Sequence, residues 1–329
     1  MKYKNLGKTG VKVSELCLGT MIYGQQVDET TAIKIIKRAI DAGINFIDTA
    51  DVYTEGRSEE IVGKAIKGMR DDIVLATKVR GRTGIGPNGE GLSRKHIMHN
   101  IETSLKRLQT DYIDLYQVHH LDSSTPLKET VTTLSDLVRD GKVRYMGCSN
   151  FPAWQLEKAL RISEVNGLES FVTVQPRYNI MDRDIERELL PLCVEEGIGV
   201  ISYSPLAGGF LTGKYQPDRP APEGSRGQLR PQMVSRYFDQ CSQSIMQELK
   251  KISAETKMSM SQIGLAWLIA NPAVTAPIIG ASKLEQLEEN MEVLNHTLPA
   301  EALKRISEVS KPDWLREQEE QEVRMRRAT

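Results

Sequence analysis

Gly43-Ile44-Asn45-Phe46-Ile47-Asp48-Thr49-Ala50-Asp51-Val52-Tyr53 joins a short apolar run, of the kind that forms a buried strand, to a charged loop. Asp48 falls where that strand ends, and a carboxylate there is costly unless a counter-charge answers it. Two other apolar runs close in the same way: Ile73-Val74-Leu75-Ala76-Thr77 ends at Lys78, and Leu115-Tyr116-Gln117-Val118 ends at His119. If these runs are parallel neighbours, Asp48, Tyr53, Lys78 and His119 converge at one rim. Each alone reads as a salt bridge, a packed tyrosine or a core histidine. Four ionisable groups converging in a cleft read as a catalytic site.

Outward from this stretch the same unit repeats. Lys2–Leu6 and Val11–Ser14 read as a hairpin about Gly7-Lys8-Thr9-Gly10. Strands are expected at 16–19, 46–48, 73–78, 114–119, 145–149, 171–175, 200–203 and 275–279. Amphipathic helices follow them, opened by Asp28, Ser58, Ser93, Pro126 and Pro152, then running from Asp184 to Glu196, over 242–256 and 261–270, and through Leu284, Leu287 and Met291. Residues 205–240 break the period and are rich in Gly, Pro and Arg. Eight strands with helices between them predict an α/β protein, a (β/α)8 TIM barrel with an N-terminal β-hairpin and a C-terminal helical tail. An open doubly wound sheet obeys the same alternation. The count of eight, and polar residues at nearly every strand end, favour closure. Residues 1–329 are thus expected to be a single barrel domain, with 1–15 (the hairpin) and 312–329 (a charged tail) as appendages. The tail is expected to be a solvated, partly frayed end.

The 43 basic and 44 acidic side chains nearly cancel, which gives no electrostatic footprint for nucleic acid or an anionic membrane. The start has no apolar leader and the longest uncharged apolar run, Ile263–Ala270, is too short to span a bilayer, so a cytoplasmic protein is expected. Cys17, Cys148, Cys193 and Cys241 are widely separated and read as small core residues, with neither a disulfide framework nor a metal site. No segment points to an oligomer interface. Gly84-Ile85-Gly86-Pro87-Asn88-Gly89 fits a dinucleotide fingerprint, but Pro87 removes a donor and the next helix starts only near Ser93. A phosphate site is better placed at Gly280-Ala281-Ser282, which is expected to open a helix, with Lys214 and Arg226 supplying positive charge.

Over almost its whole length the chain resembles the aldo-keto reductases. The motifs are Asp48-Thr49-Ala50 with Tyr53, Ala76-Thr77-Lys78, Asp111-Tyr112-Ile113-Asp114 leading to His119, Gly147-Cys148-Ser149-Asn150, Val174-Gln175, Tyr203-Ser204-Pro205-Leu206, Gly213-Lys214 and Gly280-Ala281-Ser282. The branch it resembles includes potassium-channel β-subunits and bacterial general-stress reductases. The resemblance implies a barrel enzyme of the carbonyl reductase or alcohol dehydrogenase type that uses NADPH on small carbonyl substrates. It implies Asp48, Tyr53, Lys78 and His119 as catalytic tetrad. Ser149, Asn150 and Gln175 would hold the nicotinamide carboxamide, and Tyr203 would stack on the ring. Ser204, Leu206 and Lys214 would meet the pyrophosphate, and Gly280, Ser282, Gln286, Glu289 and Asn290 the adenosine half. Arg226 would cover the adenine, and Thr20, Met21, Pro205 and Gly208 would complete the cofactor groove. Many members carry Lys and Arg where this chain has Gly280 and Gln286, and Trp where it has His120.

The chemistry follows from the residue types. Reducing a carbonyl leaves negative charge on its oxygen, which needs a proton donor and stabilising charge. A phenol with pKa of about 10 is a reluctant donor, and an adjacent ammonium is expected to lower that value. The alternative expectation is an NADP(H)-binding regulatory or sensor subunit with little turnover.

Overall fold

Side chains along the central strands alternate between two separate apolar clusters, as the period of two in an extended chain requires. Phe46, Val74, Ala76, Leu115, Ile201 and Ala276 fill one cluster, whereas their neighbours Ile47, Leu75, Tyr116, Val200 and Ile279 join a much larger one that includes the helices. The first lies inside a closed sheet and the second between sheet and helices. The structure is a computed structural model and describes residues 1–328. Its strands are β1 (Tyr3–Asn5), β2 (Lys12–Ser14), β3 (Cys17–Gly19), β4 (Phe46–Asp48), β5 (Val74–Val79), β6 (Ile113–Val118), β7 (Val143–Ser149), β8 (Phe171–Gln175), β9 (Gly199–Ser202) and β10 (Val274–Ile279).

β3 to β10 form a closed barrel in sequence order, sealed where Ile278 and Ile279 of β10 pair in parallel with Cys17 and Leu18 of β3. The doubly wound alternative is thereby excluded. β1 and β2 form the expected antiparallel hairpin, and Val13 within it and Leu6 at its turn join the barrel-interior cluster. Gly7, at its turn, has φ +57°, and a Cβ there would lie 2.3 Å from the Val172 oxygen and 2.9 Å from the Gly199 nitrogen, at the starts of β8 and β9. The hairpin thus closes the end of the barrel opposite the strand C-termini. Gly7→Ala combines overpacking with a left-handed backbone and is expected to cost about 2–3 kcal/mol. Thermal unfolding should then show a lower Tm, and a Tm equal to the parent's would refute this account of the plug.

Helix starts follow their caps. Asp28 accepts from the Thr31 amide ahead of Glu29–Asp41, Ser93 from His96 ahead of Arg94–Leu108, and Asp239 from Ser242 ahead of Gln240–Thr256. Three expectations need correction. Ser58 does not open its helix, which begins at Arg57 after Gly56; its hydroxyl turns inward to Thr20 and Thr49. The helix expected from Asp184 to Glu196 splits into a 3-10 turn, Asp184–Glu186, and a helix, Leu189–Glu196. Pro191 is the cause, since it has no amide proton and is tolerated only in a first turn. Cys241 is exposed, because its helix buries Ser242, Ile245, Leu249 and Ile252 instead. The tail is helical over Asp313–Ala328; Trp314 and Leu315 are half-buried at its start, and Lys311 pairs with Glu308 and Glu319. Thr329 of that tail lies outside the described residues. No helix among the described residues is long and apolar enough to cross a membrane.

Candidate active site

The inward row of each strand ends at the same rim, and it is there that polar side chains replace apolar ones. Asp48 follows Phe46 on β4, Lys78 follows Ala76 on β5, and Gln117 follows Leu115 on β6 with His119 two further on. Lys78 is fully buried and Asp48 is 3% exposed. The Lys78 ammonium donates to Asp48 Oδ1, to the Thr49 carbonyl at 2.8 Å and to the Tyr53 hydroxyl at 3.3 Å. Asp48 Oδ2 accepts from Gln117 Nε2 at 3.0 Å and from Gln175 Nε2 at 2.9 Å. Both carboxylate oxygens are therefore paired, as a buried charge requires.

Burial works against the Lys78 charge, but the Asp48 carboxylate and Tyr53 more than offset it, and the ammonium holds its proton more tightly than a free lysine. Burial pushes the Tyr53 phenol up and Lys78 draws it back only in part, so its pKa lies above the ordinary tyrosine value. That corrects the sequence expectation of a lowered value: the ammonium acts in the expected direction, and desolvation outweighs it. The His119 ring stands edge-on to Tyr53 with centroids 5.8 Å apart. Burial, then Lys78, His120 and Arg80, drive its pKa down to about 2, so the imidazole is neutral. One rim thus holds a phenol, a fixed ammonium and a neutral imidazole: an acid, a stabilising charge and a hydrogen-bond donor.

On one side of this group the sequence-predicted residues meet. Tyr203 donates to Asn150 Oδ1 at 2.9 Å, Asn150 Nδ2 donates to the His119 carbonyl at 3.0 Å, and the Ser149 hydroxyl donates to the Gln175 carbonyl at 2.7 Å. Further round, past Pro205 and Leu206, Gly208 and Gly209 turn with positive φ beneath two cations. A Cβ on Gly209 would lie 3.0 Å from Lys214 Nζ, and one on Gly208 would lie 3.7 Å from Arg226 Cδ. Neither Lys214 nor Arg226 forms an ion pair among the described residues, and Arg226, desolvated by burial, also feels Tyr53. Gly280 is exposed past β10; beyond it Ser282 donates through its amide and hydroxyl to Gln286 Oε1, at 2.8 and 3.0 Å. Glu289 accepts from Ser259 at 2.9 Å, and Asn290 is buried. Met21 is half-buried at the turn after β3, whereas Thr20 is fully buried, donates its hydroxyl to the Asp48 carbonyl at 3.1 Å and lies 2.8 Å from the Ser58 hydroxyl.

The expected helix-start phosphate site begins later than read: the helix is Leu284–Glu292, with Ser282 ahead of it. The glycine-rich stretch at 84–89 closes on itself, Gly84 donating to Gly89 and Gly89 to Gly86, so it offers no anion cradle. Backbone strain concentrates at the rim. Of eight non-glycine residues with positive φ among the described residues, six (Thr54, Glu55, Arg80, Asn150, Ser204 and Ala207) follow barrel strands, a distribution typical of functional sites.

Sequence reasoning missed a buried layer beneath the tetrad. Asp51 accepts from Asn100 at 2.7 Å, Glu59 accepts from Thr77 at 2.7 Å, and Arg107 bonds both Glu59 and the Asp51 carbonyl. Burial and Glu59 push the Asp51 carboxyl up to about 7. Gln117 was missed as well; the signal was a lone amide two residues before His119 in an apolar strand.

Residues 15–311 match the Aldo/keto reductase family. Among curated proteins, an uncharacterized oxidoreductase, YrpG, of Bacillus subtilis is 40% identical over 94% of this chain and 96% of its own length. A probable voltage-gated potassium channel subunit beta of Arabidopsis thaliana is 39% identical over 90% and 92%. Versiconal hemiacetal acetate reductase of Aspergillus parasiticus is 33% identical over 94% and 96%.

Proposed function

The chain belongs to the aldo/keto reductase family, and from that premise we propose that it is an NADP(H)-dependent oxidoreductase that reduces aldehydes or ketones to alcohols, with Tyr53 as proton donor. The observation that carries this reading is the Tyr53 hydroxyl 3.3 Å from an ammonium locked onto Asp48, beside a neutral imidazole. A substrate carbonyl oxygen between Tyr53 and His119 would accept a hydrogen bond from each. The phenol gives up its proton as charge develops on that oxygen, and Lys78 stabilises the resulting phenolate. A bound nicotinamide would supply the hydride.

The residues suit such a cofactor. Ser149, Asn150 and Gln175 offer amide and hydroxyl groups to a carboxamide, and Tyr203 a ring. Lys214 and Arg226, neither in an ion pair among the described residues, lie over the Gly208–Gly209 turn and suit a pyrophosphate. A 2′-phosphate would compete with Gln286 for the Ser282 amide and hydroxyl. Charge-assisted hydrogen bonds of that kind imply a preference for NADPH over NADH of roughly tenfold. Ser282→Ala is expected to weaken NADPH binding more than NADH binding; binding isotherms in which both shift alike would contradict a role in reading the phosphate.

The experiment for the reaction itself is NADPH oxidation against a panel of aldehydes and ketones. Steady turnover supports the enzyme. Tight NADPH binding without turnover on any of them would favour a sensor subunit, a reading encouraged by the relatives named as channel subunits.

A further inference from the structure

Arg80 is the first residue after β5, two positions beyond Lys78, and thus next in the inward row that runs Val74, Ala76, Lys78. Its backbone is held at φ 144°, a strained conformation for a side-chain-bearing residue, with its carbonyl fixed by the Gly91 amide at 2.9 Å. Strain of this kind persists only where surrounding structure enforces it. Its Nε is buried and has no hydrogen-bond partner, and the guanidinium forms no ion pair among the described residues. The acids flanking the Gly91–Leu92 segment that holds the Arg80 carbonyl are committed elsewhere: Glu90 pairs with Arg82, and Asp122 accepts from the Leu92 amide, Ser124 and Thr125. Val79 pairs with Val118 and its carbonyl accepts from the His119 amide at 3.0 Å, so Arg80 and His119 leave neighbouring strands side by side, and the Arg80 charge disfavours a proton on His119 and His120. The His120 ring stacks on His119 at 5.1 Å and is itself exposed. A guanidinium with no ion pair among the described residues therefore leaves the rim on the strand next to the one that carries His119.

We infer that Arg80, with His120 at its side, forms an anion subsite next to the carbonyl position, and that the favoured substrates are aldehydes or ketones that also carry a carboxylate. The inference rests on the reductase reading and adds a substrate class to it. A planar guanidinium with a free donor edge matches a carboxylate in geometry as well as charge. A carboxylate would answer both the buried Nε and the charge, whereas an ester carbonyl offers only a neutral hydrogen bond and an alkyl group none.

The test compares glyoxylate, 4-oxobutanoate and 6-oxohexanoate, each beside its methyl ester, as substrates with NADPH. For at least one pair the parent protein should favour the acid over the ester by about tenfold to a hundredfold in kcat/KM, the range one or two charged hydrogen bonds supply. Arg80→Gln keeps a Cβ at the strained position but removes the charge. It should bring the acid-to-ester ratio close to one, chiefly by raising KM for the acid, and Arg80→Lys should restore part of the preference. A purely structural role would lower both substrates together and leave the ratio unchanged. Turnover of esters with no preference for any acid, or a preference that survives Arg80→Gln, overturns the subsite alone. Absence of turnover with every acid, ester and neutral aldehyde overturns the reductase reading and this inference with it.

Discussion

Tyr53→Phe is expected to abolish carbonyl reduction while leaving NADPH binding in place. The two side chains differ only in the hydroxyl, and in this protein that hydroxyl is the group held 3.3 Å from Lys78. The ring keeps its edge-on contact with His119 in either case, so the cleft keeps its shape. What disappears is the proton that the carbonyl oxygen must receive. Neutral His119 still donates a hydrogen bond to that oxygen, but its pKa of about 2 means it is not charged at neutral pH and cannot substitute as a cationic acid. Loss of a positioned general acid lowers kcat by about 10² to 10⁴. Single-turnover reduction and cofactor titration of the folded variant would decide it. Turnover within a few-fold of the parent would remove Tyr53 from the proton-donor role.

The convergence of Asp48, Lys78 and His119 was legible because it follows from a period of two: a polar residue in phase with the inward apolar row must appear at the rim once the sheet closes. Helix starts at Asp28 and Ser93 were legible because a cap is a local hydrogen bond. Partners that lie far apart in sequence were not. Nothing in the pattern near Glu59 announces Arg107, and nothing near Asp51 announces Asn100, because periodicity encodes which face is buried and not what it meets. The loop over 205–240 had no period to read, and it folds as a series of short turns, among them Ala207–Thr212 and Arg226–Leu229. Tyr53 shows the limit of reasoning from neighbours alone. The lysine beside it was legible, but the balance between that charge and desolvation depends on burial that only the folded chain supplies.

Lys78→Met is the substitution expected to cost most, because it strikes both chemistry and stability. Removing the ammonium leaves Asp48 as a buried carboxylate whose remaining partners are the amides of Gln117 and Gln175. Breaking a buried ion pair by deleting one member typically costs about 3–5 kcal/mol. The native pair contributes to stability below the ordinary lysine pKa of 10.5, and that contribution is lost as pH rises past the still higher folded value. The single variant therefore risks unfolding for reasons unrelated to catalysis. Asp48→Asn/Lys78→Met removes both charges, and it should recover much of the lost stability but none of the activity. The catalytic signature lies in the pH profile. The Tyr53 phenol is already raised by burial, and Lys78 is the charge that opposes the rise; without it the pKa climbs further. In alcohol oxidation the phenolate must accept a proton, so the rise of kcat/KM with pH should shift to higher pH in both variants. Carbonyl reduction needs the phenol protonated, so its decline at high pH should shift the same way while its maximum falls by about 10² or more. A folded double variant whose profile superimposes on the parent's would show that Lys78 holds the fold and does not tune Tyr53.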